Sequence, residues 1–151
     1  MLAQLVADIQ SEFLNEAGEP LFEEAFVERH AVRALPLVSL DVGIEYALSD
    51  DADPVVSPDM PDTHRELWVL RTKLLCCGML RSQASTRLSF TSGDKSMDRS
   101  KEATNWAAFC KDLLEEYKAL LAKVNPGADE SILNVEFSGA RYRQGGHHHH
   151  C

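Results

Sequence analysis

The chain has 151 residues, of which 44% are hydrophobic and 26% charged, and a formal net charge of −9. Those proportions fit one folded domain with a real core and argue against a disordered chain. No apolar run approaches the roughly 18 residues that span a bilayer, and a pI near 5.0 argues against a sequence-specific DNA reader, which needs a basic face.

Residues 1–13 place Leu2, Leu5, Val6, Ile9 and Phe13 at steps of three and four, so one helical face is apolar, while Asp8, Glu12 and Glu16 fall largely elsewhere. Asn15 to Gly18 supplies a stop. Pro20 suits the first turn of a second helix, where its missing amide proton has no intrahelical partner, and that helix is expected to carry Phe22, Ala25, Phe26 and Val32 inward. Pro36 is expected to end or kink it near Leu35. Residues 41–48 are compatible with a strand or a helix end. Residues 49–62, with three prolines and Asp50, Asp51 and Asp53, read as a solvated loop; the acid spacing lacks the glycine and terminal glutamate of an EF-hand.

The longest helix is expected from Thr63 to about Thr86, capped by Asp62 or by Thr63, with Glu66 completing a capping box in the second case. Leu67, Leu70, Leu74, Cys77 and Ala84 form its stripe, and Trp68, Leu75 and Met79 widen it, so neighbours must cover more than one side. A polar joint follows at residues 88–100: Gly93 lies between Ser92 and Asp94, where a turn takes positive φ without a Cβ penalty, and Asp98 is placed to cap the next helix. That helix runs from about Arg99 to Val124 and carries Ala103, Trp106, Ala107, Cys110, Leu113, Leu114, Tyr117, Leu120, Leu121 and Val124 on one broad face. Asn125-Pro126-Gly127 ends it. Trp106→Ala is expected among the most damaging single changes.

Beyond Gly127 the chain changes character. Residues 132–137 alternate partly, which suits a short strand, and Arg141, Tyr142 and Arg143 follow a glycine, so residues 128–144 read as an extended arm in need of a pairing edge or a partner surface. Gly145-Gly146, four histidines and Cys151 look like a truncated affinity tag. The expectation is therefore an all-α helical bundle at residues 1–127 with two long antiparallel helices and shorter amino-terminal helices, followed by the arm and a tail at 145–151.

Charge is polarised along the sequence, −12 for residues 1–66 and +3 for the remainder, from which either solvated helical faces or an acidic half meeting a neighbour's basic half follows. Four cysteines at positions 76, 77, 110 and 151 do not make a disulfide scaffold or a CxxC zinc site, so buried free thiols are expected within the domain. The amino terminus lacks the basic flank and cleavage pattern of a signal peptide, from which a cytoplasmic origin is expected. Outside the tail only His30 and His64 are histidines, each read as satisfied or exposed, and no nucleophile elbow, phosphate loop or paired-carboxylate signature is present. No catalytic, cofactor or metal site is expected.

Arg65-Glu66-Leu67-Trp68-Val69-Leu70-Arg71 after the acidic proline loop, Ser89-Phe90-Thr91-Ser92-Gly93-Asp94-Lys95 with Asp98-Arg99-Ser100, and Asn105-Trp106-Ala107 before a leucine-rich helix with Tyr117 together resemble the head-tail connector, or adaptor, family of long-tailed double-stranded DNA phages and gene transfer agents. The resemblance covers about residues 22–125, and its motifs are degenerate. It implies a helical subunit that assembles, usually as twelve copies, into a ring under the portal protein, extends the DNA channel without reading the DNA, and offers a platform to the stopper or tail-completion protein. The implied location is the virion neck, after synthesis in the host cytoplasm, with no membrane contact. On this reading Leu133, Val135, Phe137, Arg141, Tyr142 and Arg143 would meet the portal, and Arg87, Asp94, Lys95, Asp98 and Arg99 would contact a neighbouring subunit or the next ring. Leu67, Leu70, Leu74, Trp106, Cys110, Leu113 and Tyr117 would be core. The competing class is a small helical DNA-packaging or regulatory factor of helix-turn-helix type, for which neither long helix has a uniformly basic face.

Overall fold

The computed structural model describes residues 1–15, 17–88 and 95–126, and for 81–88 and 95–103 the helical backbone alone. The chain is mostly helical: α1 (Leu2–Glu12), α2 (Glu24–Val42), α3 (Asp62–Leu88) and α4 (Lys95–Val124), with a two-stranded antiparallel sheet of β1 (Ala47–Leu48) and β2 (Val56–Ser57) between α2 and α3.

α1 follows its apolar spacing: Leu2, Leu5, Val6, Ile9 and Phe13 are all buried. The turn after it is built by Asn15, whose Oδ1 accepts from the amides of Ala17 and Glu19, both at 2.9 Å, while Gly18 takes φ +80°. That left-handed geometry costs a residue without a Cβ nothing. Pro20 does not begin a helix as expected. It lies opposite Leu14 in a bridge, and its neighbour Leu21 donates to the Phe13 carbonyl at 2.7 Å. Phe22 is buried before the helix begins at Glu24.

α2 continues through Pro36, against expectation. Its buried stripe of Val27, Ala31, Ala34, Leu35 and Val38 passes both sides of the proline, so the packing of several apolar side chains outweighs one lost backbone hydrogen bond. Pro36 and Val32, whose carbonyl loses its donor, lie on the exposed face, where water can satisfy that group. Ala25 and Val32, expected inside, are exposed, and Phe26 is half-buried. Gly43, at φ +73°, caps the helix by donating to the Ser39 carbonyl at 2.9 Å.

Residues 49–62 are not wholly loop. Val56 and Ser57 pair with Leu48 and Ala47, and Ser49 and Val55 close the hairpin through Ser49 N to Val55 O and Val55 N to Ser49 Oγ, each 3.0 Å. Val56 fits because its side chain is buried on the inner face. The prolines flank that short ladder and occupy none of its paired positions.

α3 begins at Asp62, so Asp62 and Thr63 both stand inside the first turn and neither caps it. Leu67, Trp68, Thr72, Cys76 and Cys77 are fully buried and Leu70 nearly so, whereas Leu74 and Leu75 are half-buried and Met79 is exposed. Coverage on more than one side is as the stripe demands: α2 packs on one flank, with the Trp68 indole donating to the Ala31 carbonyl at 2.8 Å, and α4 packs on another. α4 starts at Lys95, four residues before the expected Arg99, which puts Asp98 in its first turn instead of at its cap. Leu113, Tyr117 and Leu121 are its buried positions. Trp106 and Cys110 are half-buried against the core, so Trp68, not Trp106, is the large side chain most completely enclosed.

Candidate assembly surface

The scaffold is fastened at one end by a buried polar group. Asp41, one residue before the end of α2, accepts a short hydrogen bond from the Tyr117 hydroxyl of α4. Its backbone carbonyl accepts from Asn125 Nδ2 at 3.1 Å. The Arg71 guanidinium of α3 lies 5.5 Å from the centre of the Tyr117 ring, within the range of a cation–π contact. Asp41, Arg71 and Tyr117 are each at most 7% exposed. Burial of a charged group is costly without partners, so this group fixes how the ends of α2 and α4 meet α3.

In a second buried pair, the Tyr46 hydroxyl and His64 Nδ1 are 2.7 Å apart. This pair joins the hairpin to the first turn of α3, and burial raises the Tyr46 pKa. Tyr46 also borders an open groove of about 570 Å³ with Pro36, Ser39, Leu40, Gly43 and Glu45. Its amide donates to Ser39 Oγ at 3.0 Å. With its ring nitrogen engaged by tyrosine, His64 is a bracing residue, and His30 is likewise satisfied, its Nδ1 being 2.8 Å from the Phe26 carbonyl.

A chain of rings links Phe13, just after α1, Phe22, just before α2, and Phe26 of α2 with Trp106 and Phe109 of α4. Phe13 stacks on Trp106 at 6.4 Å and meets Phe22 and Phe109 edge-on at 5.4 and 5.7 Å, and Phe22 stacks on Phe26 at 4.8 Å. Phe109 and the chain neighbours of Phe13 and Phe22, Leu14 and Leu21, are 39%, 45% and 37% exposed. Lys73 and Glu12 make a 2.5 Å ion pair between α3 and α1. Glu12 is half-exposed, so this pair adds little to stability.

The polar joint connects α3 and α4. α3 ends at Leu88 and α4 begins at Lys95, which leaves residues 89–94 between them. Below the joint, Cys77 and Cys110 are joined as a disulfide, their Cα atoms 5.8 Å apart. This corrects the expectation of free thiols at both positions: facing stripes of two packed helices brought together cysteines 33 residues apart. Cys76, on the same helix, is a buried free thiol as expected, and burial pushes its pKa up to about 12.

Of the residues proposed from sequence for contacts, Arg87 belongs to the last turn of α3 and Lys95, Asp98 and Arg99 to the first turns of α4; their side chains and Asp94 lie outside the described residues. The arm residues Leu133, Val135, Phe137, Arg141, Tyr142 and Arg143 lie outside them also. Asp41 was not singled out, Arg71 was named only within a motif and Asn125 only as a helix stop. Arg71 alone carried a visible signal, since it falls one turn after Leu67, within the apolar stripe of α3.

Asp50, Asp51 and Asp53 are exposed on the hairpin loop. Among the described residues no group of three or more His, Cys, Asp or Glu is placed to hold a metal ion, and no helix is long and apolar enough to cross a membrane. No protein-family model, curated protein or solved structure matches the chain.

Proposed function

We propose that this chain is a head-tail adaptor subunit, a structural protein without catalytic or cofactor chemistry. Twelve copies form a ring that sits under the portal protein, continues the DNA channel and carries the stopper or tail-completion protein. In this reading α3 and α4 are the two long antiparallel helices of a helical bundle, consistent with Arg71 lying over Tyr117 and Cys77 meeting Cys110. The protein works in the neck of the virion and resides in the host cytoplasm before assembly.

The observation that carries the reading is the joint. The segment that most resembles the adaptor family runs from the end of α3 into the first turns of α4, two long helices that pack on each other and on the amino-terminal elements. We assign the contact platform to this region, with Arg87 from the last turn of α3, Lys95, Asp98 and Arg99 from the first turns of α4, and Asp94 just before them. The exposure of Leu14, Leu21 and Phe109 supports the reading of an assembling subunit. The arm at 128–144 is assigned to the portal, with Leu133, Val135 and Phe137 as apolar anchors and Arg141, Tyr142 and Arg143 against acidic portal surface.

Native mass spectrometry of the full chain, alone and mixed with portal particles, tests the reading. A ring of adaptor copies on the portal is the expected result. A monomer that never associates with portal overturns it.

A further inference from the structure

We infer that Cys77 and Cys110 form a redox clamp, a dithiol that closes to a disulfide within the folded domain and locks α3 to α4 below their joint. Three observations carry this. In the bonded pair the Cα atoms are 5.8 Å apart, an ordinary disulfide separation, so the bond is compatible with the packing of α3 on α4. The Cys77 sulfur lies 3.6 Å from the Trp106 carbonyl oxygen, an acceptor for the thiol proton of the open form, so the buried sulfur has a place in either state. Cys77 is fully enclosed whereas Cys110 is half-buried, which makes Cys110 the sulfur that an outside reagent meets first.

The chemistry follows from that difference in access. The Cys110 thiolate attacks one sulfur of a small external disulfide, forming a mixed disulfide and releasing one thiol. The Cys77 thiolate then attacks Cys110 Sγ, forming the Cys77–Cys110 bond and releasing the second thiol. Two electrons pass from the pair to the external disulfide, and the two cysteine protons end on the released thiols. Cys76 does not compete, because its thiol is buried and holds its proton at neutral pH. Thiol-reducing compartments keep such a pair open and oxidising surroundings close it. The clamp is independent of the adaptor reading, since it concerns the isolated subunit alone.

The test uses the full chain carrying C151S, which removes the terminal thiol from the chemistry. The protein is treated while folded with oxidised glutathione or with a phosphine reductant, then alkylated, digested and weighed. The expected result is one Cys77–Cys110 linked peptide after oxidation and two alkylated cysteines after reduction. The oxidised form should melt roughly 10 °C higher than the reduced form, the effect of closing a loop of this length in a domain of this size. C77A and C110A should lose that response, whatever their own melting temperatures. Both cysteines still alkylated after oxidation, a linkage through Cys76, or identical melting of the two forms would overturn the inference.

Discussion

The Tyr117 hydroxyl donates to the Asp41 carboxylate across 76 residues of sequence, in the interior, with the Arg71 cation over the same tyrosine ring. One phenol thus joins the end of α2 to the carboxy-terminal part of α4 while α3 supplies the neighbouring charge. Tyr117→Phe removes that donor and keeps the ring. A hydrogen bond to a charged group contributes about 1.5–3 kcal/mol, so urea denaturation should show a loss of that order with the helical content unchanged. A variant as stable as the parent would show that the bond contributes nothing net.

Trp68 and Trp106 should separate sharply. Trp68 is fully enclosed and its indole donates to the Ala31 carbonyl, so Trp68→Ala should cost about 3–5 kcal/mol. Trp106 is half-buried, stacked on Phe13 at one side. Trp106→Ala should cost less, and denaturation midpoints of the two variants will rank them.

Stability should fall in alkali partly through Cys76. Burial raises its pKa from 9.0 to about 12, so the folded state holds this proton more tightly than the unfolded chain. The contribution is therefore complete below pH 9 and is lost as pH climbs from 9 toward about 12. Cys76→Ala should flatten the stability profile in that window relative to the parent, whatever offset its smaller side chain introduces at neutral pH. Parallel profiles from pH 8 to 11 would contradict the assignment.

Deleting residues after Gly127 should leave a protein with the parent's circular dichroism and cooperative melting that no longer binds portal particles. The described core ends at Val124 and Asn125, whose bonds to Leu121 and Asp41 do not involve the deleted residues. Unchanged portal binding would sink the role proposed for Leu133, Val135, Phe137, Arg141, Tyr142 and Arg143.

Charge reversal at Lys95 and Arg99 asks whether the joint makes contacts or only braces itself. Loss of ring assembly at an unchanged melting temperature favours an interface. A lowered melting temperature with assembly intact favours internal bracing.

Periodicity alone determined most of the helices and much of their buried faces, whereas the expected starts at Pro20, Asp62 or Thr63, and Asp98 did not hold. Leu2 to Phe13 in α1, and Leu67, Leu70, Leu113 and Tyr117 in α3 and α4, follow from the 3.6-residue repeat, because water drives one apolar stripe inward whatever it meets there. The stops at Asn15–Gly18 and after Val124 were equally legible, since asparagine, glycine and proline act on the backbone beside them. Tertiary structure decided what depends on distant partners. Pro36 is carried inside α2 because the core on both sides of it outweighs one exposed hydrogen bond, and Val56 becomes a strand residue only because Leu48 lies opposite. The Asp41–Tyr117 bond and the Cys77–Cys110 pair were invisible for the same reason. Composition shows that a carboxylate, a phenol and two thiols exist, while the packing of α2, α3 and α4 alone brings them within reach of one another.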